Sequence, residues 1–301
     1  MEQMQILLAI LVLLPFVSAL LLALCGSDRM RRLIVYGSAG VLMISAVAFA
    51  VCFFSGENLQ LRFLQSGGII DHTILALEAG FAVLITVLSI KYRRYYVAVL
   101  SIVQTVLTFV YELGGYKPAV QPYNLFADQL TVIMVLIIAV VGTLITVYAV
   151  GYMRDYHNHH KEYADRRRFF FAMLYVFLGA MFGLVLSNSL LWLYFFWEIT
   201  SLVSFLLIGY TRTKEAVQNS FRALWMNLLG GLGFAAAIFW AGVRFGITDL
   251  QSLILCDGKL VVAPVILLAF AALTKSAQLP FCWEPWWRPH PPLHCCTAPR
   301  W

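Results

Sequence analysis

Residues 190–210 read LLWLYFFWEITSLVSFLLIGY, and the only charged side chain among them is Glu198. A bilayer core about 30 Å thick needs about 20 apolar residues of helix to cross it. The stretch therefore predicts a transmembrane helix, with the carboxylate at least about 12 Å from either end at 1.5 Å per residue. A charge at that depth costs at least about 2.5–3.5 kcal/mol, so Glu198 is a candidate functional residue. The alternative is a structural carboxylate tied to a neighbouring helix.

The rest of the chain is also strongly apolar and contains few charged residues. Of its 301 residues 61% are hydrophobic and 12% are charged, and the mean hydropathy is +0.83. Soluble domains carry about 25% charged residues, so most of this surface must face lipid. Nine uniformly apolar stretches predict spans at about 4–25, 33–54, 72–90, 95–113, 126–150, 168–186, 189–209, 222–243 and 261–281. Because a barrel would alternate apolar and polar residues, we expect an all-α polytopic transmembrane helix bundle of about nine spans.

The loops between these spans predict the orientation. The odd-numbered loops hold 14 Lys and Arg residues and the even-numbered loops hold 4. By the positive-inside rule the odd loops are cytoplasmic, and the N-terminus lies outside the inner membrane. The net charge of +6 is thus explained by the Lys and Arg residues of the loops. We expect these residues to lie at the surface of a lipid bilayer, and we do not expect them to bind nucleic acid.

A second ionisable residue interrupts the last predicted span, which reads VILLAFAALTKSAQLPF over residues 265–281. The ammonium of Lys275 is costly to bury unless it is paired, and it loses its proton readily when desolvated. Pro280 cannot donate a backbone hydrogen bond, so the helix is expected to break near residue 276. Broken helices are tolerated in membranes where they line a wet cavity. The alternative for Lys275 is snorkelling to the interface.

Weaker candidates lie in the neighbouring spans. Arg222 begins a predicted span and either assists the site or sits at the cytoplasmic interface, and Asn227 can hydrogen-bond to a partner helix. Asp128 opens the fifth span, where an acid is favourable through the helix dipole alone. Glu78 and Glu112 are interpreted as interfacial. The small residues that permit close helix approach are Gly230, Gly231 and Gly233.

Metal and redox ligands are not predicted in this chain. Its six cysteines form no CxxC or Cys/His set with the spacing of zinc or iron–sulfur sites. The basic loop 151–170 contains three histidines, His157, His159 and His160, which could bind a metal. We favour a solvated loop, with Arg166, Arg167 and Arg168 fixing the start of the next helix at the headgroups.

The segments LVLSNSLLWLYFFWEITSLVSFLLIGY and LTKSAQLPF together closely resemble the antiporter-like membrane subunits. These are the L-type subunit (number 5) of NADH-quinone oxidoreductase, the large membrane subunit of energy-converting hydrogenases, and the A-type subunit of multisubunit cation/proton antiporters. The resemblance covers residues 124–281. It implies a proton channel built from broken helices, in which the glutamate of the WE motif, here Glu198, and the lysine of KSAQ-P, here Lys275, are the central titrating residues.

The resemblance also implies a function and partners. The expected function is proton translocation in a complex I-type oxidoreductase or an energy-converting hydrogenase, driven by electron transport in other membrane and peripheral subunits. NAD, flavin, iron–sulfur and nickel–iron centres would belong to those partner subunits, with no cofactor or metal in this chain. The alternative is the A-type subunit of a monovalent cation/proton antiporter. A second alternative is a non-functional truncated fragment.

Three regions follow from the comparison with the family pattern. Residues 1–123 form N-terminal transmembrane helices with an extra span pair at 72–113, a feature that favours the hydrogenase branch. Residues 124–281 form the first half of the translocation domain. Residues 282–301 are interpreted as an out-of-frame tail, because codons for PWWRPHPP and HCCTAPRW, read two nucleotides later, can encode the family's APTP and LHSATM runs. No role is therefore assigned to its Cys282, Cys295, Cys296, His290 and His294.

Overall fold

The computed structural model describes residues 2–55, 61–65, 69–114, 123–160, 162, 164–256, 258 and 261–276. The early helices and strands are α1 (Glu2–Leu24), α2 (Asp28–Phe54), β1 (Leu61–Gln65), α3 (Ile69–Lys91), α4 (Tyr95–Leu113) and β2 (Tyr123–Ala127). Next come α5 (Gln129–Ile137), a π-helical turn (Ile138–Gly142), α6 (Thr143–His159) and α7 (Arg167–Leu186). The last are α8 (Leu190–Ile208), α9 (Lys214–Phe245), α10 (Leu250–Leu255) and α11 (Val262–Lys275).

The prediction of an all-α polytopic membrane bundle is confirmed. Within the described residues, eight helical segments are long and apolar enough to cross a membrane, one of them running through α5, the π turn and α6. The ninth predicted span corresponds to α11, a 14-residue apolar helix that ends at Lys275. Pro280, the predicted helix break and the tail 282–301 lie outside the described residues.

Two predicted span boundaries are wrong. The fifth span continues past residue 150 to His159, and the eighth begins at Lys214 rather than at residue 222. Thr213 caps α9 by accepting a 3.2 Å hydrogen bond from the Ala216 amide, and Glu215 follows in the first turn. Hydropathy detects only the apolar part of a helix, whereas capping and first-turn acids extend it into the polar loop.

A small antiparallel ladder accompanies the helices of the described part of the chain. β1 pairs with β2, with Leu61 opposite Ala127 and Gln65 opposite Tyr123. Such a ladder belongs outside the hydrocarbon, where water satisfies the free strand edges. In sequence, α3 and α4 lie between these two paired strands.

Helix α8 lies at the centre of the packing that positions the polar residues. It contacts α7, α9 and α3, while α9 also packs against α4 and α11. Most of the side chains of α8 are buried, including aromatic residues that would otherwise face lipid. Gly183 of α7 allows this contact, because a Cβ there would overlap the Phe196 ring. Glu198 is therefore held inside the bundle, away from lipid.

Candidate functional site

The Glu198 carboxylate is buried between three helices, with 5% of the residue exposed. It accepts a 2.8 Å hydrogen bond from the side-chain amide of Gln104 on α4. On α9, Gly231 leaves room for this pair, since a Cβ there would lie 2.8 Å from Gln104 Oε1 and 3.2 Å from Glu198 Oε1. The prediction that the glycines of α9 permit close helix approach is confirmed. At Gly231 the side chains that come close to the α9 backbone are those of Gln104 and Glu198.

The Lys275 ammonium points toward α8. Its Nζ donates a 2.8 Å hydrogen bond to Ser201 Oγ and lies 5.0 Å from the centroid of the Trp197 ring. The Ser201 hydroxyl in turn donates to the Trp197 carbonyl at 3.0 Å. A cation over an indole face is stabilised by the ring quadrupole. In the structure Lys275 is thus held by the bundle, which disfavours the snorkelling alternative.

Glu198 and Lys275 approach each other along one face of α8. Ser201 lies three residues after Glu198, which places the Lys275 partner about one helical turn from the carboxylate. The two charges interact electrostatically, but within the described residues they make no direct ion pair. Two neighbouring hydroxyls of α8, those of Thr200 and Ser204, bond to carbonyls of their own helix.

The three auxiliary candidates lie in different places. Asp128 caps α5 by accepting 2.8 Å hydrogen bonds from both the amide and the hydroxyl of Thr131. This placement fits an acid that stabilises the start of the helix. Arg222 was predicted to begin its span, and it lies instead partly buried in the third turn of α9. Asn227 is also partly buried, and no residue in the described part of the chain hydrogen-bonds to its side chain.

The sequence interpretation missed two residues of the site, Gln104 and Glu78. Glu78 was predicted to be interfacial, but it lies mid-helix in α3 with 3% of the residue exposed and accepts a 2.9 Å hydrogen bond from Thr108 Oγ1. A usable signal was present in α4. Its polar residues Ser101, Gln104 and Thr108 recur at helical spacing, and all three are buried on one face.

Most of the predicted basic loop 151–170 is helical, since α6 runs to His159 and α7 begins at Arg167, and its polar side chains make specific contacts. His157 hydrogen-bonds to the Tyr210 hydroxyl at 2.9 Å, and Arg167 pairs with Asp165 at 2.6 Å. The Arg167 guanidinium lowers the pKa of Asp165 to about 2. The histidines have separate partners, since His159 bonds to the Asp155 carbonyl. As predicted, the arginine run marks the helix start, with Arg166 at the N-cap of α7.

Two family models match the chain across this site. The model described as "NADH:quinone oxidoreductase/Mrp antiporter, TM" matches residues 187–289, which include Glu198, Ser201 and Lys275. The model described as "NADH-Ubiquinone oxidoreductase (complex I), chain 5 N-terminus" matches residues 121–170. These two segments place the chain with the antiporter-like membrane subunits that the models describe. Gln104 and Glu78 lie outside both matched segments of this antiporter-like chain.

The curated relatives of this antiporter-like chain carry the names of antiporter subunits. The chain is 30% identical over 198 residues to the A1 subunit of a Na(+)/H(+) antiporter from Staphylococcus haemolyticus, covering 64% of this chain and 24% of that protein. It is 27% identical over 237 residues to the protein of the same name from Staphylococcus aureus, covering 71% of this chain and 29% of that protein. The chain thus spans less than a third of these relatives.

Two solved membrane complexes contain chains similar to this antiporter-like protein. One is the Mrp complex from Dietzia sp. DQ12-45-1b, with a TM-score of 0.45 and 22% identity over 71% of this chain and 24% of that chain. The other is the membrane-bound sulfane sulfur reductase, an archaeal respiratory complex, with a TM-score of 0.42 and 18% identity over 68% of this chain and 44% of that chain.

Proposed function

We propose that the chain carries protons through the membrane as part of the A-type subunit of a multisubunit monovalent cation/proton antiporter. The observation that supports this most directly is the arrangement of Glu198, Ser201 and Lys275, an acid, a hydroxyl and an amine along one face of α8. All three lie in the segment matched by the antiporter family model. The relatives named as Na(+)/H(+) antiporter subunits favour the antiporter over a redox-driven pump.

The chemistry of the pair suits proton movement. Transfer of a proton from the Lys275 ammonium to the Glu198 carboxylate leaves an amine and a carboxylic acid, so both charges vanish in one step. Ser201 can donate and accept hydrogen bonds and lies against the ammonium. Because charges are costly inside a bilayer, the paired neutral state and the paired charged state lie lower in free energy than a state with one unpaired charge.

A second candidate is a proton-pumping subunit of a redox-driven complex. The match of residues 121–170 to the complex I chain 5 model favours it. In that case NAD, flavin, iron–sulfur or nickel–iron centres would be held by partner subunits. Within the described residues, no group of three or more His, Cys, Asp or Glu is placed to hold a metal ion. Both candidates require other membrane subunits as partners.

Reconstitution of the whole complex in proteoliposomes separates the two candidates. For the antiporter, an imposed pH gradient collapses when Na⁺ or K⁺ is added, without any electron donor. For the redox pump, the interior acidifies or alkalinises only when the donor and acceptor of the complex are both supplied. Cation-independent, donor-dependent proton uptake would reject the antiporter and support the second candidate.

The orientation in the membrane is part of the proposal. The excess of Lys and Arg in the odd-numbered loops supports a cytoplasmic location for Ser27 and Thr213 and an external N-terminus. Single cysteines introduced at these two positions in intact cells are expected to react only with membrane-permeant reagents. Labelling of either position by an impermeant reagent would reverse the proposed orientation.

A further inference from the structure

The inserted span pair α3–α4 brings a second carboxyl group into the membrane interior. Glu78 is the tenth residue of the 23-residue α3 and is almost completely buried. An ionisable side chain in the middle of a transmembrane segment is costly and marks a candidate functional site. Neither matched family segment, 121–170 or 187–289, contains this residue.

One face of α4 connects the two buried carboxyl groups. Thr108 Oγ1 donates to Glu78 at 2.9 Å, and Gln104 Nε2 donates to Glu198 at 2.8 Å. Because these two donors are four residues apart, they lie one above the other, about 6 Å apart along the helix axis. Gln104 Oε1 is also buried, and no described residue donates to it. The space between α3, α4 and α8 is therefore lined by polar side chains, whereas helix surfaces that face lipid are apolar.

The charged groups that interact with Glu78 among the described residues are themselves acids. Glu198 and Glu112 interact with it electrostatically, and Lys275 faces Glu198 from α11. Within the described residues Glu78 makes no ion pair. Two carboxylates that interact in a poorly polarisable interior repel each other, so a state in which both are charged is disfavoured.

A purely structural role does not account for a carboxyl at this position. The hydrogen bond from Thr108 needs only an acceptor oxygen, and an uncharged glutamine would supply one. A glutamine would also remove the repulsion from Glu198. What a carboxyl adds to such an acceptor is the ability to take up and release a proton.

We propose that Glu78 is a second proton-carrying site that exchanges protons with Glu198 through the polar face of α4. In each transfer the O–H bond of the Glu78 acid breaks and an O–H bond forms on the Glu198 carboxylate, so that the pair keeps one negative charge. Thr108 then hydrogen-bonds to the newly formed Glu78 carboxylate. The inference rests on the proposed function, because Glu198 must itself carry protons. The span pair becomes a branch of the proton path that begins outside the matched segments.

Proton flux in proteoliposomes holding the complete complex tests this proposal. An imposed Na⁺ gradient drives the flux, and a pH-sensitive dye reports it. Glu78→Gln is expected to lower the flux by about 100-fold, the low end of what a positioned proton donor contributes. Glu215→Gln is the matched control, since Glu215 is exposed at the start of α9, and its flux should equal that of the unmodified protein.

The hydroxyl variants provide a second comparison that leaves Glu78 in place. Thr108→Val removes the hydrogen bond to Glu78 and should lower the flux. Thr105→Val is its control, because Thr105 Oγ1 donates to the Ser101 carbonyl of its own helix and to no other described residue. Equal fluxes in these two variants would contradict the proposal. Glu78→Asp, which keeps a carboxyl, should recover more flux than Glu78→Gln.

Infrared difference spectra after a pH jump report the proton directly, whether or not a variant transports. The carboxylic acid band of Glu78 should be lost in Glu78→Gln and displaced in Glu78→Asp. A Glu78→Asp spectrum identical to that of the unmodified protein would show that this residue exchanges no proton. If Glu198→Gln blocks the flux while Glu78→Gln transports normally, only the Glu78 proposal fails. If Glu198→Gln also transports normally, the proposed function itself fails.

Discussion

The side-chain amide of Gln104 donates a 2.8 Å hydrogen bond to the Glu198 carboxylate. This contact joins α4 to the buried acid of the segment that the antiporter family model matches. Helix α4 therefore contributes a side chain to the candidate site. Helix α4 also packs closely along α9, where Gly231 makes room for both side chains.

Replacing Gln104 by leucine removes the donor to a buried carboxylate. Leaving such an acceptor unpaired costs about 1–3 kcal/mol, so we expect a lower melting temperature and a reduced proton flux. Val103→Leu is the matched control, because Val103 is 43% exposed on the neighbouring face of α4. If Gln104→Leu melts and transports like the control, the hydrogen bond has no role in either.

A methyl group at residue 231 would push apart the Gln104–Glu198 pair. Gly231→Ala places a Cβ 2.8 Å from Gln104 Oε1, which forces one of the polar side chains to move. Overpacking of this kind costs about 1–3 kcal/mol, and we expect both stability and proton flux to fall. Gly151→Ala on α6 is the control, since a Cβ there meets no atom within 4 Å.

The hydroxyl of Ser201 is predicted to position the Lys275 ammonium. Ser201→Ala removes the partner of Nζ, whereas Ser204→Ala removes only a bond to the Thr200 carbonyl of the same helix. We expect the first variant to slow proton flux by roughly tenfold, equivalent to about 1.4 kcal/mol. The second should leave the flux unchanged. Equal effects of the two substitutions would argue against a special role for Ser201.

The Asp165–Arg167 pair predicts a pH dependence of stability. Arg167 lowers the pKa of Asp165 from 3.8 to about 2, so the carboxylate stabilises the folded state above pH 3.8. This contribution is lost as the pH falls through about 2, because the acid is then protonated in both states. The difference in melting temperature between the unmodified protein and Asp165→Asn should shrink over that range. In an Arg167→Gln background the difference should be small at every pH.

The sequence was sufficient to predict the membrane class and most of the helices, and it singled out Glu198 and Lys275, whose side chains lie inside the bundle. Lone charges such as Glu198 and Lys275 stand out in apolar segments, because lipid sharply limits where a charge can lie. The ends of α9 and of the fifth span were not predicted well. Capping by residues such as Thr213 sets those ends in polar loops, where hydropathy carries little information.

The buried position of Glu78 could not be predicted from hydropathy alone. Whether an acid within an apolar helix is interfacial or central depends on which neighbouring helix covers it, and that is a property of tertiary packing. The polar face of α4, with Gln104 and Thr108 four residues apart, was the available sequence signal. It becomes interpretable only when the contacts of α4 with α3 and α9 are known.

The roles of Glu198 and Lys275 are tested most directly by the proton flux of Glu198→Gln and Lys275→Ala in the complete complex, reconstituted in proteoliposomes and driven by an imposed Na⁺ gradient. Each substitution is expected to abolish the flux while the complex still assembles at normal yield. Normal flux in both assembled variants would show that the Glu198 acid and the Lys275 amine do not carry the proton.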